Sequence, residues 1–298
     1  MLSSHSDEFR LIEAARLREP ASAAVACGIG DDAAVLADGT LLATDTLLEG
    51  RHYTPEADPR AVGHKAVAVN LSDIAAMGGT PVAATVALTL RRSAGAARAD
   101  ALMAGLQETA ARHGVALVGG DTTSWEGPEA VSVTVLGRSP AGGAVLRSGA
   151  RPGHGVFVTG PLGGSLRGRH LTFEPRLREG AEVAALGATA MIDLSDGLSS
   201  DAAHLAAASG IRIVLDADAI PVHADAGGLD AALRDGEDFE LLFTLPPGVP
   251  CGHHRIGVVR AGRGVHLRRG GVEEPLVAAG FSHDIGGDAQ TASGRSSS

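Results

Sequence analysis

The chain has 298 residues, of which 44% are hydrophobic, and it carries a formal net charge of -10. This length and this apolar content suffice for two folded domains and exclude disorder for most of the chain. The acidic balance argues against nucleic acid as a partner, because phosphate backbones are bound by clustered Lys and Arg side chains, and it favours cations instead.

Cysteine usage and the N-terminal sequence bear on the cellular compartment. Cys27 and Cys251 lie far apart with no metal-binding spacing, so neither a disulfide framework nor a structural zinc site is expected. The stretch MLSSHSDEFRLIEAARL carries acid where a signal peptide would carry base, and no apolar run reaches the ~18 residues of a membrane span. The sequence therefore predicts a cytoplasmic protein without a membrane partner.

The first half of the chain mixes predicted helices and strands. Ser6 is expected to cap a first helix, and AVACGIG and TLLATDTLL are expected to be neighbouring strands. Pro59 opens a long helix that Gly78 and Gly79 end, and a second helix covers roughly residues 96–113. The strands VALVGG and AVSVTVLGR complete this half.

The stretch SPAGGAVLRSGARPGHG is rich in Gly and Pro and predicts a domain boundary near Leu146. The second half is predicted to contain the strands GVFVTG, AMIDL, IRIVLDA and FELLFTL, with helices over 177–186 and in LSSDAAHLAAASG. Domains are therefore expected over residues 1–145 and 146–286, followed by a disordered polar tail over 287–298. Helices and strands in both halves indicate an α/β or α+β protein.

Aspartates follow or interrupt apolar strands at several places. They are Asp31 and Asp32 in GIGDDAAVL, Asp45 in LLATDTLLEG, Asp121 on a glycine hinge at the end of a strand in LVGGDTTSW, and Asp193 and Asp196 in AMIDLSDGL. Each alone can be an ordinary turn, but an acid in a strand is disfavoured unless it is ligated. Scattered carboxylates are typical of Mg²⁺ sites that also use phosphate oxygens. Together they predict an enzyme that clamps a polyphosphate and two or more Mg²⁺ ions between loops.

Asp73 lies inside the strongly apolar helical stretch AVAVNLSDIAAMGG, with Asn70 one turn earlier on the same face. An uncompensated buried carboxylate costs several kcal/mol, so Asp73 needs a partner. Lys65, the nearest cation in the sequence, is two turns away on a different face. Asp73 is therefore expected either to pair with a distant Arg or to hold a metal ion or a metal-bound phosphate.

The chain contains neither a P-loop nor the motifs of a protein kinase, so a nucleotide would be held in another way. GGDTT and the glycine-rich stretch around Arg147 can present backbone N–H groups and a guanidinium to phosphates, although such stretches are also ordinary linkers. His52 is either a surface residue or part of the site. No motif supports nucleophilic catalysis by Ser or Cys.

Seven motifs resemble, in their order and over nearly the whole chain, the thiamine-monophosphate kinases. They are GIGDDAAVL, TDTLLEGRHY, GHKAVAVNLSDIAAMGGTP, LVGGDTTSW, LRSGARPGHGVFVTG, MIDLSDGLSSDAAHLAAASG and DGEDFELLF. That family belongs to the superfamily of aminoimidazole ribonucleotide synthetase and selenophosphate synthetase, whose members bind ATP without a P-loop. The resemblance implies a two-domain fold with an N-terminal mixed sheet at a homodimer interface. It also implies direct, Mg²⁺-dependent transfer of the γ-phosphoryl group of ATP to thiamine monophosphate, which forms thiamine diphosphate.

The resemblance implies roles for individual residues as well. Magnesium ligands would be Asp32, Thr44, Asp45, Asp73, Asp121, Asp193 and Asp196, and the catalytic residues among them would be Asp45, Asp121 and Asp196. ATP would be contacted by Gly120, Asp121, Arg147 and Ser195. The thiamine substrate would be contacted by His52, Glu237 and Phe281. The chain departs from the family's usual pattern in a shorter segment between Gly160 and Pro175 and in Ala43, where Ser is common.

Two alternatives remain open from the sequence. One is another ATP-using enzyme of the superfamily, such as a cyclo-ligase or selenophosphate synthetase, and the other is a non-catalytic nucleotide sensor that retains the pocket. Selenophosphate synthetase would need a reactive Cys or selenocysteine with a Lys close by in an N-terminal loop, and Cys27 has no such neighbour.

Overall fold

The computed structural model describes residues 7–18 and 20–280, which form two mixed β-sheets with helices packed against them. Within those ranges, none of the helices combines the length and the apolar character that a membrane span requires. The predictions for Ser6, for Phe281 and for the tail over 287–298 fall outside the described residues.

The first sheet has six strands. In chain order they are β1 Val25–Cys27, β2 Ala34–Leu36, β3 Thr40–Leu48, β4 Thr80–Arg91, β5 Ala116–Trp125 and β6 Ala130–Arg138. Their spatial order is β1-β2-β3-β6-β4-β5, and all neighbours are antiparallel except β4 and β5. The helices of this half are α1 Asp7–Arg16, α2 Pro59–Ala76 and α3 Ala96–Arg112. The predicted helices that became α2 and α3 are confirmed.

The second sheet has seven strands. They are β7 Gly155–Val158, β8 Ala190–Asp193, β9 Arg212–Asp216, β10 Leu241–Leu245, β11 His254–Arg260, β12 Gly264–Arg269 and β13 Val272–Pro275. The order is β13-β12-β9-β11-β7-β10-β8, with β9 and β12 as the parallel pair. The helices are α4 Leu177–Ala185, α5 Leu198–Ser209 and α6 Leu229–Arg234. The mixed α/β class predicted from the sequence is confirmed.

The prediction that AVACGIG and TLLATDTLL form neighbouring strands is wrong. The short strand β2 lies between β1 and β3 and pairs antiparallel with both. Its three residues follow directly on Asp31, Asp32 and Ala33, a stretch typical of a turn, so a separate strand was not expected there. The consequence is that the two aspartates sit between β1 and β2.

Helix α2 lies where the two halves of the chain meet. Asp58 caps its first turn by accepting a 3.1 Å hydrogen bond from Arg60 N, and Gly78, with φ of 67°, follows its last turn. The helix contacts β3 and β6 of the first sheet and also α4 and β8 of the second half. Nearly all of its residues are buried, so its polar side chains are enclosed at this junction.

Each sheet covers a separate apolar core, and a third core joins the halves. Ala75, Ala76 and Val145 pack there with Phe157 and Phe243 of the second sheet. The domain boundary predicted between residues 145 and 146 falls in the connection from β6 to β7. The domain limits themselves stay a prediction.

Candidate active site

Three carboxylates converge where the two halves meet. Asp32 comes from the turn between β1 and β2, Asp73 from the C-terminal half of α2, and Asp193 from the end of β8. One oxygen of each lies within 4.8 Å of the others. Carboxylates this close repel one another, and a divalent cation removes that cost. The arrangement therefore suits a metal ion held between the two halves.

Asp45, in the middle of β3, joins this group from the side that faces α2. Its backbone N donates a 3.1 Å hydrogen bond to Asn70 Oδ1, and Asn70 Nδ2 donates to Ala66 O at 3.0 Å. Burial, followed by the negative charges of Glu237 and Asp32, raises the pKa of Asp45 to about 6. Asn70 thus fixes the backbone of β3 at Asp45 against α2.

Burial and mutual repulsion raise the pKa values of the enclosed carboxyls. Burial, then the charges of Asp45, Asp193 and Asp32, raises the pKa of Asp73 well above its ordinary value of 3.8. Burial and Asp32 raise the pKa of Asp193 to about 8, although Ser72 Oγ donates a 2.6 Å hydrogen bond to its carboxylate. In the described part of the chain Asp73 has no ion pair, so the pairing with a distant Arg that the sequence left open is not found there.

Arg147 is the cation that faces this group. Its guanidinium forms a two-pronged ion pair with Asp32, with Nη2–Oδ1 at 2.7 Å and Nε–Oδ2 at 3.3 Å. Its backbone N donates to both carboxylate oxygens of Asp31, at 3.2 and 3.1 Å. Burial disfavours the charge of Arg147, but Asp32, Asp31 and Asp193 outweigh it and raise the pKa. One guanidinium cannot balance all the carboxylates around it, so the site stays electronegative.

The loop that follows β8 packs tightly against the loop that precedes β10. Glu237 N donates a 2.7 Å hydrogen bond to Ser195 O. A Cβ added at Gly236 would lie 2.5 Å from the same oxygen, so only glycine allows this approach. Ser195, expected at ATP, and Glu237, expected at the thiamine substrate, are therefore adjacent.

Asp201 is a residue of this region that sequence reasoning missed. It lies in the first turn of α5, where its Oδ2 accepts hydrogen bonds from Asp196 N at 3.2 Å and Gly197 N at 3.0 Å. Burial, then the charges of Asp196 and Asp193, raises the pKa of Asp201 well above 3.8. An acidic residue in the first turn of a helix that follows a glycine is typical of a helix N-terminus, and this pattern could have identified Asp201 from the sequence.

Lys65 connects the two residues that were expected to contact the substrate. It is fully buried on α2, donates a 2.9 Å hydrogen bond to His52 O and forms an ion pair with Glu237. Burial alone would favour neutral Glu237, but the neighbouring His170 ring and the charge of Lys65 lower its pKa. His52 Nδ1 accepts a 2.9 Å hydrogen bond from Leu48 N, so a neutral ring carries its proton on Nε2.

Thr44 and Asp121 lie apart from the carboxylate group within one chain. Side chains alternate along a strand, so Thr44 faces away from α2, where its Oγ1 donates to Val133 O at 3.0 Å. Asp121 pairs with the exposed Ala87 of β4, so its side chain also lies on the face of the first sheet opposite to α2. β5 is three strands away from β3, which at ~4.8 Å per strand is about 14 Å.

The prediction that a glycine hinge ends the strand before Asp121 is wrong. β5 continues through Gly119, Gly120 and Asp121 as far as Trp125. Gly119 and Gly120 have φ of 158° and 150°, and a Cβ added at Gly120 would lie 1.8 Å from Val86 O. The glycine is therefore required by the close packing of β5 on β4. Contact of Gly120 with a nucleotide stays a prediction.

The chain approaches the site again at the end of the described residues. A Cβ added at Gly280 would lie 2.2 Å from Asp196 O, and Ala279 N donates to Ser199 Oγ at 3.3 Å. Phe281, the next residue, lies outside the described residues, so its contact with a substrate stays a prediction.

Comparisons with known proteins identify the family of this chain. Residues 30–139 match the family model "AIR synthase related protein, N-terminal domain". The thiamine-monophosphate kinase of Rhodopirellula baltica is 40% identical over 245 residues, which cover 75% of this chain and 77% of the relative. That of Mycobacterium tuberculosis is 40% identical over 278 residues, or 82% of each chain. The solved structure described as "AaThiL complexed with AMPPCP and TMP" has a TM-score of 0.84 at 29% identity and covers 95% of this chain and 100% of that one. Given this identity over most of its length, the chain belongs to the thiamine-monophosphate kinase family.

Proposed function

We propose that this protein phosphorylates thiamine monophosphate to thiamine diphosphate with ATP as the phosphoryl donor. The observation that carries the proposal is the group of Asp32, Asp73 and Asp193 beside Arg147, in a chain of this family. The relatives bear the name thiamine-monophosphate kinase, and the similar solved structure holds an ATP analogue and TMP. A site of this kind suits phosphoryl transfer, in which a protein mainly positions two phosphates and offsets their charge.

The side chains of the site fit Mg²⁺. They are oxygen ligands only, and burial with mutual repulsion raises the pKa values of Asp73 and Asp193, a cost that a hard divalent cation offsets. Asp32, Asp45, Asp73 and Asp193 would hold the ion, and Mg²⁺ would supply charge neutralisation at the transferring phosphate. Asp196, beside them in the loop after β8, is proposed as a further ligand.

The remaining groups of the site position the donor and the acceptor. Arg147 is fixed by Asp31 and Asp32 and suits a phosphate of ATP. His52 Nε2–H suits the phosphate of the acceptor, and the carboxylate of Glu237 suits its positively charged thiazolium ring. Two phosphates held in line need no protein nucleophile. The acceptor's phosphate oxygen therefore forms its bond to the γ-phosphorus as the bond to the leaving ADP breaks.

A homodimer completes the site in this proposal. The side of the first sheet opposite to α2 leaves large apolar side chains exposed, among them Leu42 at 37%, Val82 at 45% and Leu136 at 40%. An uncovered apolar sheet face favours association, and a two-fold dimer brings the same face of both copies together. Asp121 lies on this face, far from the carboxylates of its own chain. In the dimer it would serve the site of the other copy.

A coupled assay for ADP release across candidate acceptors tests the proposal. We expect ADP release to depend on thiamine monophosphate and Mg²⁺, with thiamine diphosphate detected by chromatography. ADP release with another acceptor only would identify a different enzyme of the superfamily. Binding of ATP without ADP release from any acceptor would identify a nucleotide sensor, and either result would overturn the proposal.

A further inference from the structure

Lys65 has its charged group enclosed by three acceptors. Its Nζ lies 2.9 Å from His52 O and 2.9 Å from His170 Nδ1, and it forms an ion pair with Glu237 Oε2. An ammonium group has three N–H donors, which matches the number of groups around it. The side chain is fully buried, and a buried cation without such partners would be strongly destabilising. The position of Lys65 is thus determined by all three contacts together.

The three acceptors come from three separate parts of the chain. His52 lies in the connection from β3 to α2, His170 in the segment between β7 and α4, and Glu237 in the loop before β10. Two of these three residues are the ones proposed to contact the thiamine substrate. Lys65 therefore sets the distance between them without facing solvent itself.

The segment between β7 and α4 also holds the residues around Glu237 one by one. Glu237 Oε2 lies 3.5 Å from His170 Nδ1, and Asp238 Oδ1 accepts a 2.7 Å hydrogen bond from Arg169. The ring of Phe239 stacks on that of Phe173, with their centroids 4.1 Å apart. Glu240 Oε2 accepts a 2.9 Å hydrogen bond from Arg176. This segment contains the stretch between Gly160 and Pro175 that the sequence predicts to be shorter than usual in the family.

The backbone at Glu237 needs such support. Glu237 and Phe239 have φ of 66° and 51° and are the two non-glycine residues with positive φ among those that the structure describes. Side-chain-bearing residues adopt these angles at a cost of about 1–3 kcal/mol and keep them only where their surroundings impose them. The contacts of His170 and Phe173 supply that constraint.

We propose that Lys65 and His170 are positioning residues for the phosphoryl acceptor. They hold the carboxylate of Glu237 and the His52 loop at the separation that the acceptor requires. This inference rests on the proposed function, because it concerns the acceptor side of the same site. It assigns to the segment between β7 and α4 a role in recognition of the acceptor.

Steady-state kinetics of His170→Ala test the inference. We expect the KM for thiamine monophosphate to rise by roughly tenfold or more, since a displaced Glu237 binds the acceptor less well, while the KM for ATP stays within about twofold. His170→Asn places an amide oxygen near the position of Nδ1, where it accepts from Lys65, so this variant should recover most of the acceptor affinity. If His170→Ala does not fold, His170→Leu, which fills the space but offers no acceptor, carries the same expectation as the alanine variant.

The matched control is Arg176→Gln, which removes the neighbouring ion pair to Glu240 in the same segment. We expect it to lower the Tm and to leave the acceptor KM near that of the wild type. An equal rise in the acceptor KM for Arg176→Gln and His170→Ala would overturn the inference, because any loosening of the segment would then suffice. An unchanged KM in His170→Ala would overturn it as well. Failure of the wild type to phosphorylate thiamine monophosphate would instead refute the proposed function.

Discussion

Ser72 Oγ donates a 2.6 Å hydrogen bond to Asp193 Oδ2 and so joins α2 of the first half to β8 of the second. Asp73 follows Ser72 in the chain and shares the carboxylate group with Asp193. The group therefore exists only while the two halves are packed together. A ligand bound there stabilises both halves at once, because it binds the folded chain and not the unfolded one.

Asp45→Asn is expected to lower kcat by roughly a hundredfold or more, since it removes one charge that would hold Mg²⁺ at the transferring phosphate. The pKa of Asp45 is raised to about 6, so its charge is unfavourable in the metal-free protein. The variant should therefore melt at the wild-type temperature or above it in EDTA. Unchanged kcat with a lowered Tm would show that Asp45 is a structural acid. Asp216→Asn, which breaks an ion pair to Arg268 outside the carboxylate group, is the control for loss of charge alone.

The metal-free protein is expected to lose stability as pH rises from about 4 to about 8. Asp45 and Asp193 have pKa values of about 6 and about 8 in the folded state, above the ordinary 3.8, so the folded state holds more protons in this window. The stability that these two carboxyls contribute is fully present below pH 3.8, their ordinary pKa. It is lost as the pH rises through their folded-state pKa values of about 6 and about 8.

Urea unfolding in EDTA at pH 5 and pH 8 measures this effect. The free energy of unfolding should be lower at pH 8 by at least about 1 kcal/mol, the equivalent of one pKa unit. Asp193→Asn should lose most of this difference, and Mg²⁺ should reduce it in the wild type. A free energy that rises between pH 5 and pH 8 would contradict the assignment.

Arg147→Met is expected to destabilise the metal-free protein by about 3–5 kcal/mol, because it leaves the buried carboxylate of Asp32 unpaired. Mg²⁺ should restore part of this loss, and the KM for ATP should rise because the guanidinium is proposed to bind a phosphate. Thermal melts with EDTA and with Mg²⁺ measure the first effect. Arg112→Met, which removes an exposed ion pair with Glu174, should change stability by less than about 1 kcal/mol and serves as the control. Equal losses in both variants would refute a special role for Arg147.

Mixing Asp45→Asn and Asp121→Asn subunits is expected to restore activity that neither homodimer has. If Asp121 serves the other copy, each mixed dimer contains one site with both aspartates and one site with neither. If both act within one chain, each site of the mixed dimer lacks one of them and activity stays absent. Co-expression with two affinity tags isolates the mixed dimer.

Leu136→Glu, on the exposed sheet face, should give monomers in analytical ultracentrifugation, whereas Val272→Glu, exposed on β13, should not.

The sequence predicted the helices of the first half better than its strands. α2 begins at Pro59 and is followed by two glycines, which are strong local signals. β4 was not predicted, because TPVAATVALTLR alternates small Ala and Thr side chains whose burial depends on the neighbouring strands β5 and β6. The strands β11 to β13 were missed as well, since their short, charged stretches resemble loops.

The carboxylates were found from the sequence, whereas the contacts of Lys65 were not. Helical spacing placed Lys65 two turns from Asp73 on a different face, and it said nothing of the partners of Lys65. Helix α2 is buried on nearly every side. Because no face of the helix is left to solvent, the helical spacing of its residues could not predict which side chains Lys65 would contact. Its partners His170 and Glu237 are distant in the chain, and only the packed fold brings them to it.

The fit between residues 237–240 and the segment from β7 to α4 has an evolutionary consequence. Each of the four residues has its own partner in that segment, so an insertion or deletion in one stretch leaves side chains of the other unmatched. The two stretches must then change together as the family diverges. A chimaera that takes the segment from a relative with a longer one would retain this fit only if it took that relative's loop before β10 as well.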